Sequence, residues 1–124
     1  MINPFVKRQR FENIYYTYNI DMIRGDTYKV ELTFDPEDFP VTGDLIELTV
    51  RPQPNAKKLI YKQVTEFTPN EDNIVTITID PIDTQYANPG NYHYDVSLTK
   101  EDGTVTTIVG PAYFTIKGDI THPD

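Results

Sequence analysis

Apolar and polar residues alternate with a period of two along most of this chain. Val30, Leu32 and Phe34 are interleaved with Glu31 and Thr33, and Ile46, Leu48 and Val50 with Glu47, Thr49 and Arg51. The pattern recurs at Val75, Ile77 and Ile79, and again at Tyr92, Tyr94, Val96 and Leu98. Successive side chains on a strand point to opposite faces, so each run predicts a strand with one apolar and one polar face. Segments 104–109 and 112–117, rich in Thr, Val, Ile and aromatics, predict two more. Ile14 to Ile20 predicts an early strand carrying Tyr15, Tyr16 and Tyr18, and Lys58 to Lys62 a short edge strand with lysines that discourage stray pairing.

Turn residues separate these runs. Gly103, after Glu101-Asp102, is free to take positive φ and predicts a hairpin. The segments 35–40 and 52–55 each hold two prolines and predict loops, because proline cannot donate to a ladder. Thr42-Gly43-Asp44 and Asn88-Pro89-Gly90-Asn91 mark further turns. The one helical expectation is a single turn at Pro81 to Tyr86, capped by Asp80 or Asp83. About seven or eight short strands predict an all-β, immunoglobulin-like antiparallel β-sandwich over residues 13–118. Residues 1–12 are expected to form an N-terminal arm and 119–124 a C-terminal tail.

Length and composition narrow the class. A chain of 124 residues is the size of one domain with one core. It contains no cysteine, which removes disulfides and thiolate metal sites. No continuous apolar stretch follows Met1, and no run approaches the roughly 20 residues that cross a bilayer, so a soluble protein made inside a cell is expected. The net charge of −8 falls entirely on residues 63–124; residues 1–62 balance. That acidic half repels phosphate backbones and makes nucleic acid a poor partner for the folded body. Lys7, Arg8 and Arg10 form the exception, flanked by Phe5, Val6 and Phe11. Such a short basic and aromatic segment is read as an arm that docks on a neighbouring subunit. Tyr15 and Tyr16 must point to opposite strand faces, so at least one faces away from the core, where it either packs against a loop or is a candidate anchor for a partner.

The inventory for catalysis is thin. Ser97 is the only serine, and His93 and His122 the only histidines. His93, Asp95 and Ser97 share a strand face, but same-face neighbours stand about 6.6–6.8 Å apart. A triad needs the histidine between the other two, whereas here the aspartate is central, so a polar face is expected instead. Asp35, Glu37 and Asp38, or Glu101 and Asp102, offer oxygen ligands for calcium without the periodicity of an EF-hand, and are read as acidic turns. Zinc spacing and phosphate-loop glycines are missing from the sequence. No enzyme activity, cofactor or metal is expected. Arg24-Gly25-Asp26 spells an adhesion tripeptide, but its place directly before a strand assigns Gly25 and Asp26 to a turn.

Three stretches together carry a family resemblance. Ile23-Arg24-Gly25-Asp26-Thr27-Tyr28-Lys29-Val30-Glu31-Leu32 resembles the opening of small tailed-phage virion proteins. Asp83-Thr84 followed by Asn88-Pro89-Gly90-Asn91-Tyr92-His93-Tyr94-Asp95-Val96 is similar to a turn-and-strand segment of the same group. The close, Asp102-Gly103-Thr104 through Gly110, then Phe114 to Thr121, resembles that group's ending. Order and spacing are kept from about residue 20 to 121. The group comprises the N-terminal domains of baseplate upper proteins and related tail or neck proteins. The resemblance implies an immunoglobulin-like fold and a structural place in a virion, assembled in the host cytoplasm, with other virion proteins as partners. It carries over no catalytic residue. With the chain ending at Asp124, the expected role is an adaptor, a ring or plug subunit, or a capsid decoration or head-fibre protein. A carbohydrate- or cell-surface-binding module is the competing expectation from another class. Mechanically, Gly90 turns the chain into a central strand, Tyr92 hydrogen-bonds back to the preceding turn, Gly103 makes a hairpin, and Gly110-Pro111 bends the last strand so that it can switch sheets.

Overall fold

The computed structural model describes residues 18–120. Its strands are β1 (Ile20–Ile23), β2 (Tyr28–Thr33), β3 (Leu45–Arg51), β4 (Ile60–Val64), β5 (Ile74–Ile79), β6 (Gly90–Thr99) and β7 (Val105–Lys117). A 3-10 turn, Pro36–Asp38, follows β2, and the single helical turn α1, Pro81–Thr84, follows β5. The alternation read from the sequence is the alternation of burial. In β3, Ile46, Leu48 and Val50 are fully buried while their neighbours are half-exposed, and β5 and β6 repeat the pattern.

Two sheets face each other. One has the order β1-β7-β6-β3-β4, the other is the pair β2-β5. This is an immunoglobulin-like sandwich: β2 and β5 take the B and E places, and β3, β6 and β7 the C, F and G places of the facing sheet. Pairing is antiparallel except where β1 runs parallel to the end of β7, Ile20 opposite Phe114. Val30, Leu32, Ile77 and Ile79 of the small sheet pack against Ile46, Leu48, Val96, Phe114 and Ile116 of the large one. Burying one such side chain stabilises the fold by about 1.5–3 kcal/mol, so the inward phase of each strand is strongly fixed.

The corner residues behave as expected. Tyr92, at the start of β6, donates its hydroxyl to the Asn88 carbonyl at 2.7 Å, a tyrosine corner. Gly103 sits at φ +95° in the β6–β7 hairpin, where Gly103 N–H meets the Lys100 carbonyl at 2.9 Å. Asp83 accepts the Asp80 N–H at 2.7 Å, so α1 is capped by the expected aspartates.

Three expectations are corrected. Of the expected early strand 14–20, residues 14–17 lie outside the described residues; Tyr18, at φ +47°, and Asn19 are not strand, and β1 begins only at Ile20, where Ile20 and Met22 turn inward beside Phe114–Lys117. The edge strand is Ile60–Val64 rather than 58–62, since Leu59 N–H closes the loop on the Val50 carbonyl and sets the register. The last two predicted strands are one, β7, and it does not switch sheets: both halves stay on β6. Gly110 and Pro111 together oppose Asp95 alone, so the extra residue is absorbed as a bulge. At the end of the described residues, the Asp119 carboxylate is buried against Arg24 at 2.8 Å.

Candidate protein-binding face

The large sheet turns its second face to solvent, and the register decides which side chains meet there. Tyr113, His93 and Arg51 form one rung across β7, β6 and β3. Asp95, Thr49 and Tyr61 form the next, and Ser97, Glu47 and Gln63 the one after. The alternate positions, Tyr94, Val96 and Val50, are inside. The face is therefore an array of aromatic, charged and small polar groups on a rigid sheet.

Its relief comes from the bulge. Gly110 adopts φ +95°, and a Cβ there would lie 2.7 Å from the Tyr94 carbonyl oxygen, so only glycine fits the close approach. The bend opens a groove of about 490 Å³ between Tyr18, Asn19, His93, Pro111 and Tyr113. A neighbouring hollow of about 210 Å³, bounded by Thr49, Arg51 and Asp95, shares His93 and Pro111 with it. The His93 and Tyr113 rings are 5.2 Å apart, and Tyr113 remains half-exposed. Farther along, the Tyr61 hydroxyl donates to the Glu47 carboxylate, which with desolvation raises the Tyr61 pKa, and Lys58 Nζ lies 4.3 Å above its ring.

Both ends of the sandwich are clamped around this face. At one end the Asp44 side chain is buried and accepts the Val41 N–H at 3.0 Å, the Glu101 N–H at 3.1 Å and Lys100 Nζ at 3.1 Å. Burial alone would raise its pKa; these donors outweigh it and hold the carboxyl below the usual value of 3.8. At the other end Arg24 donates to Asp119 at 2.8 Å, and Gly25, at φ +85°, donates its N–H to Thr84 Oγ1 at 2.8 Å. The Asp26 N–H bonds the Ile23 carbonyl at 3.0 Å. The adhesion-like tripeptide is thus a closed turn with its arginine engaged. Lys62 Nζ also bridges Asp80 at 3.2 Å and Asp83 at 2.8 Å.

The residues named from the sequence are distributed unevenly over this picture. Phe5, Val6, Lys7, Arg8, Arg10, Phe11, Tyr15 and Tyr16 lie outside the described residues. Gly25, Asp26, Gly90, Tyr92, Gly103 and Gly110 occupy turns, strand starts and the bulge. His93, Asp95 and Ser97 stand on three successive outward rungs, each beside different neighbours, so the face does not assemble them as a triad. Carboxylate oxygens of Asp35, Glu37 and Asp38 do come within 4.8 Å of one another, as acidic turns on acidic proteins often do. Asp102 instead accepts the Thr104 N–H at 2.9 Å within the hairpin. Sequence reasoning did not single out Tyr113, Tyr61 and Arg51; the available signal was that each is out of phase with a buried neighbour, Phe114, Ile60 or Val50.

Comparison with known proteins adds little to this geometry. No family model matches the chain, and no curated protein does. Among solved structures, CopC from Methylosinus trichosporium OB3b is 15% identical, with 84% of this chain and 89% of that one covered, at a TM-score of 0.44. Murine CRIg is 12% identical over 82% of this chain and 92% of its own, at 0.41. An uncharacterized protein from Bacillus anthracis str. Ames is 12% identical over 88% and 99%, at 0.42. At these values the likeness carries no argument about function.

Proposed function

We propose that this protein is a non-enzymatic structural component of a tailed-phage particle, an adaptor in tail, baseplate or neck that works by protein–protein contacts. The observation that carries the reading is the outer face of the large sheet, where Tyr113, His93, Arg51 and Tyr61 are displayed on rungs fixed by strand register. Tyrosine and arginine are the side chains that anchor protein interfaces, because each offers large contact area with a polar tip. Rigid mounting lowers the ordering cost of binding. The clamps at Asp44 and Arg24 serve the same end by fixing the loops that border the face. The resemblance to baseplate upper proteins supplies the particle, and its second and third quoted stretches run through β6 and β7 of this sheet.

Immunogold electron microscopy tests the reading. Antibody raised against the domain is applied to purified particles of the encoding phage, intact and partly disrupted. Label at one pole or along the tail is the expected result. Particles that stay unlabelled in both states, beside a labelled control protein, would sink it.

A further inference from the structure

The two outer edges of the large sheet are built differently. On β4, Lys58 and Lys62 flank or interrupt the edge, as edge strands protected against pairing usually are. On β7 the chain is uncharged from Gly103 to Ile116. β1 covers only Phe114–Lys117, and the Asn19 side chain takes the Tyr113 N–H at 2.9 Å. Among the described residues no strand lies beside Val105–Ala112 on that side. Val105, Thr106 and Thr107 are exposed there, and Val105 is 63% accessible. This is an open, β-branched strand edge that ends in the groove of Tyr18, Pro111 and Tyr113.

The rest of the chain says what covers it. Seventeen residues precede Tyr18 in the sequence, and Tyr18 itself takes φ +47° while Tyr94 Oη donates to its carbonyl at 2.6 Å. Those residues carry Lys7, Arg8 and Arg10 against a single acid, Glu12, whereas residues 63–124 carry a net charge of −8. Glu101 and Asp102 stand at the head of the open edge and Asp95 beside the groove. On a strand, Phe5 and Phe11 share one face about 20 Å apart, within the roughly 26 Å that the eight open positions of β7 span. Resting on the assembly role proposed above, we infer that the N-terminal segment of one copy adds as a strand to the β7 edge of a neighbouring copy. One phenylalanine enters the groove against Tyr113 and His93. Backbone hydrogen bonds supply affinity, the groove supplies register, and the basic side chains meet the acidic hairpin. The contact is head-to-tail, so copies link into a ring or a run rather than a two-fold pair.

Sedimentation velocity on the full-length protein tests this with two double variants. Val105→Lys with Thr107→Lys spoils the edge but leaves the segment. Phe5→Ser with Phe11→Ser spoils the segment but leaves the edge. Val105 and Thr107 are outside the core cluster, and circular dichroism melts confirm that both variants fold. The wild type is expected to form species larger than a dimer, and each variant alone to be monomeric. An equimolar mixture is then expected to give a one-to-one dimer with twice the mass of either variant, because one intact edge meets one intact segment. A monomeric wild type, a mixture that stays monomeric, or a segment variant that assembles as well as the wild type would each overturn the inference. The last would point to symmetric pairing of two β7 edges. These readings do not depend on phage particles, so a failure here and a failure of the proposed function are told apart by the two experiments.

Discussion

Replacing Asp44 by asparagine removes one charge from a buried polar junction between two loops. The Asp44 side chain is 1% exposed and joins the loop before β3 to the hairpin that launches β7 through two backbone donors and Lys100. Asparagine keeps the shape but has one acceptor oxygen, so either Val41 or Glu101 faces an amide NH₂ and Lys100 loses its counter-ion. Lys100 is 41% exposed and rehydrates easily, so its pairing contributes little. The loss is dominated by the hydrogen bonds to a charged acceptor, and amounts to about 2–3 kcal/mol. For a domain of this size that lowers Tm by roughly 10 °C. The effect carries a pH signature. The folded carboxyl titrates below its unfolded value of 3.8, so its stabilisation is present above that value and disappears as pH falls through the folded pKa. Wild type and Asp44→Asn should differ in urea midpoint near neutral pH, with equal slopes, and converge as pH drops below 3.8. A difference that persists undiminished in strong acid, or none at neutral pH, would refute the clamp.

Other substitutions probe other joints. Gly110→Ala puts a Cβ 2.7 Å from the Tyr94 carbonyl at a φ that L-residues avoid, and a loss of about 1–3 kcal/mol is expected in chemical denaturation. Tyr94→Phe deletes the hydroxyl bonded to the Tyr18 carbonyl and should cost about 1 kcal/mol at neutral pH. Burial, then the neighbouring Tyr28 and Tyr18, raises the Tyr94 pKa above its usual 10.0, so its contribution is full below that pH and lost as pH rises. The variant should therefore melt with a shallower alkaline dependence than the wild type. Arg24→Ala should loosen the end of β7, read as faster exchange of the residue-24 amide, which donates to the Lys117 carbonyl, and in the turn of Gly25, with little change at the Asp44 end. An integrin-coated surface should retain no more wild type than Asp26→Glu, because Arg24 is engaged with Asp119 and Gly25 with Thr84.

Most of the sandwich could be read from the chain because a half-buried strand writes its burial into every second residue. Ile46, Leu48 and Val50 are one such set, and the tyrosine corner at Tyr92 was equally legible as a turn followed by an aromatic. What escaped depends on partners distant in sequence. The start of β1 is set by Phe114–Lys117, about 94 residues away, and no local pattern contains that pairing. The fusion of the last two strands was hidden because Gly110-Pro111 reads locally as a break, while β6 absorbs it opposite Asp95. The exposed face shows the same limit. Tyr113 and Arg51 look like ordinary outward positions until the register sets them on one rung with His93.

Quantitative mass spectrometry of gradient-purified particles from the encoding phage tests the central claim most directly. A structural adaptor predicts peptides of this chain co-sedimenting with major tail or neck proteins, at a fixed whole-number ratio that survives further gradients. Its absence from intact particles, or a trace amount lost on repurification while it accumulates free in the infected cell, would contradict the account.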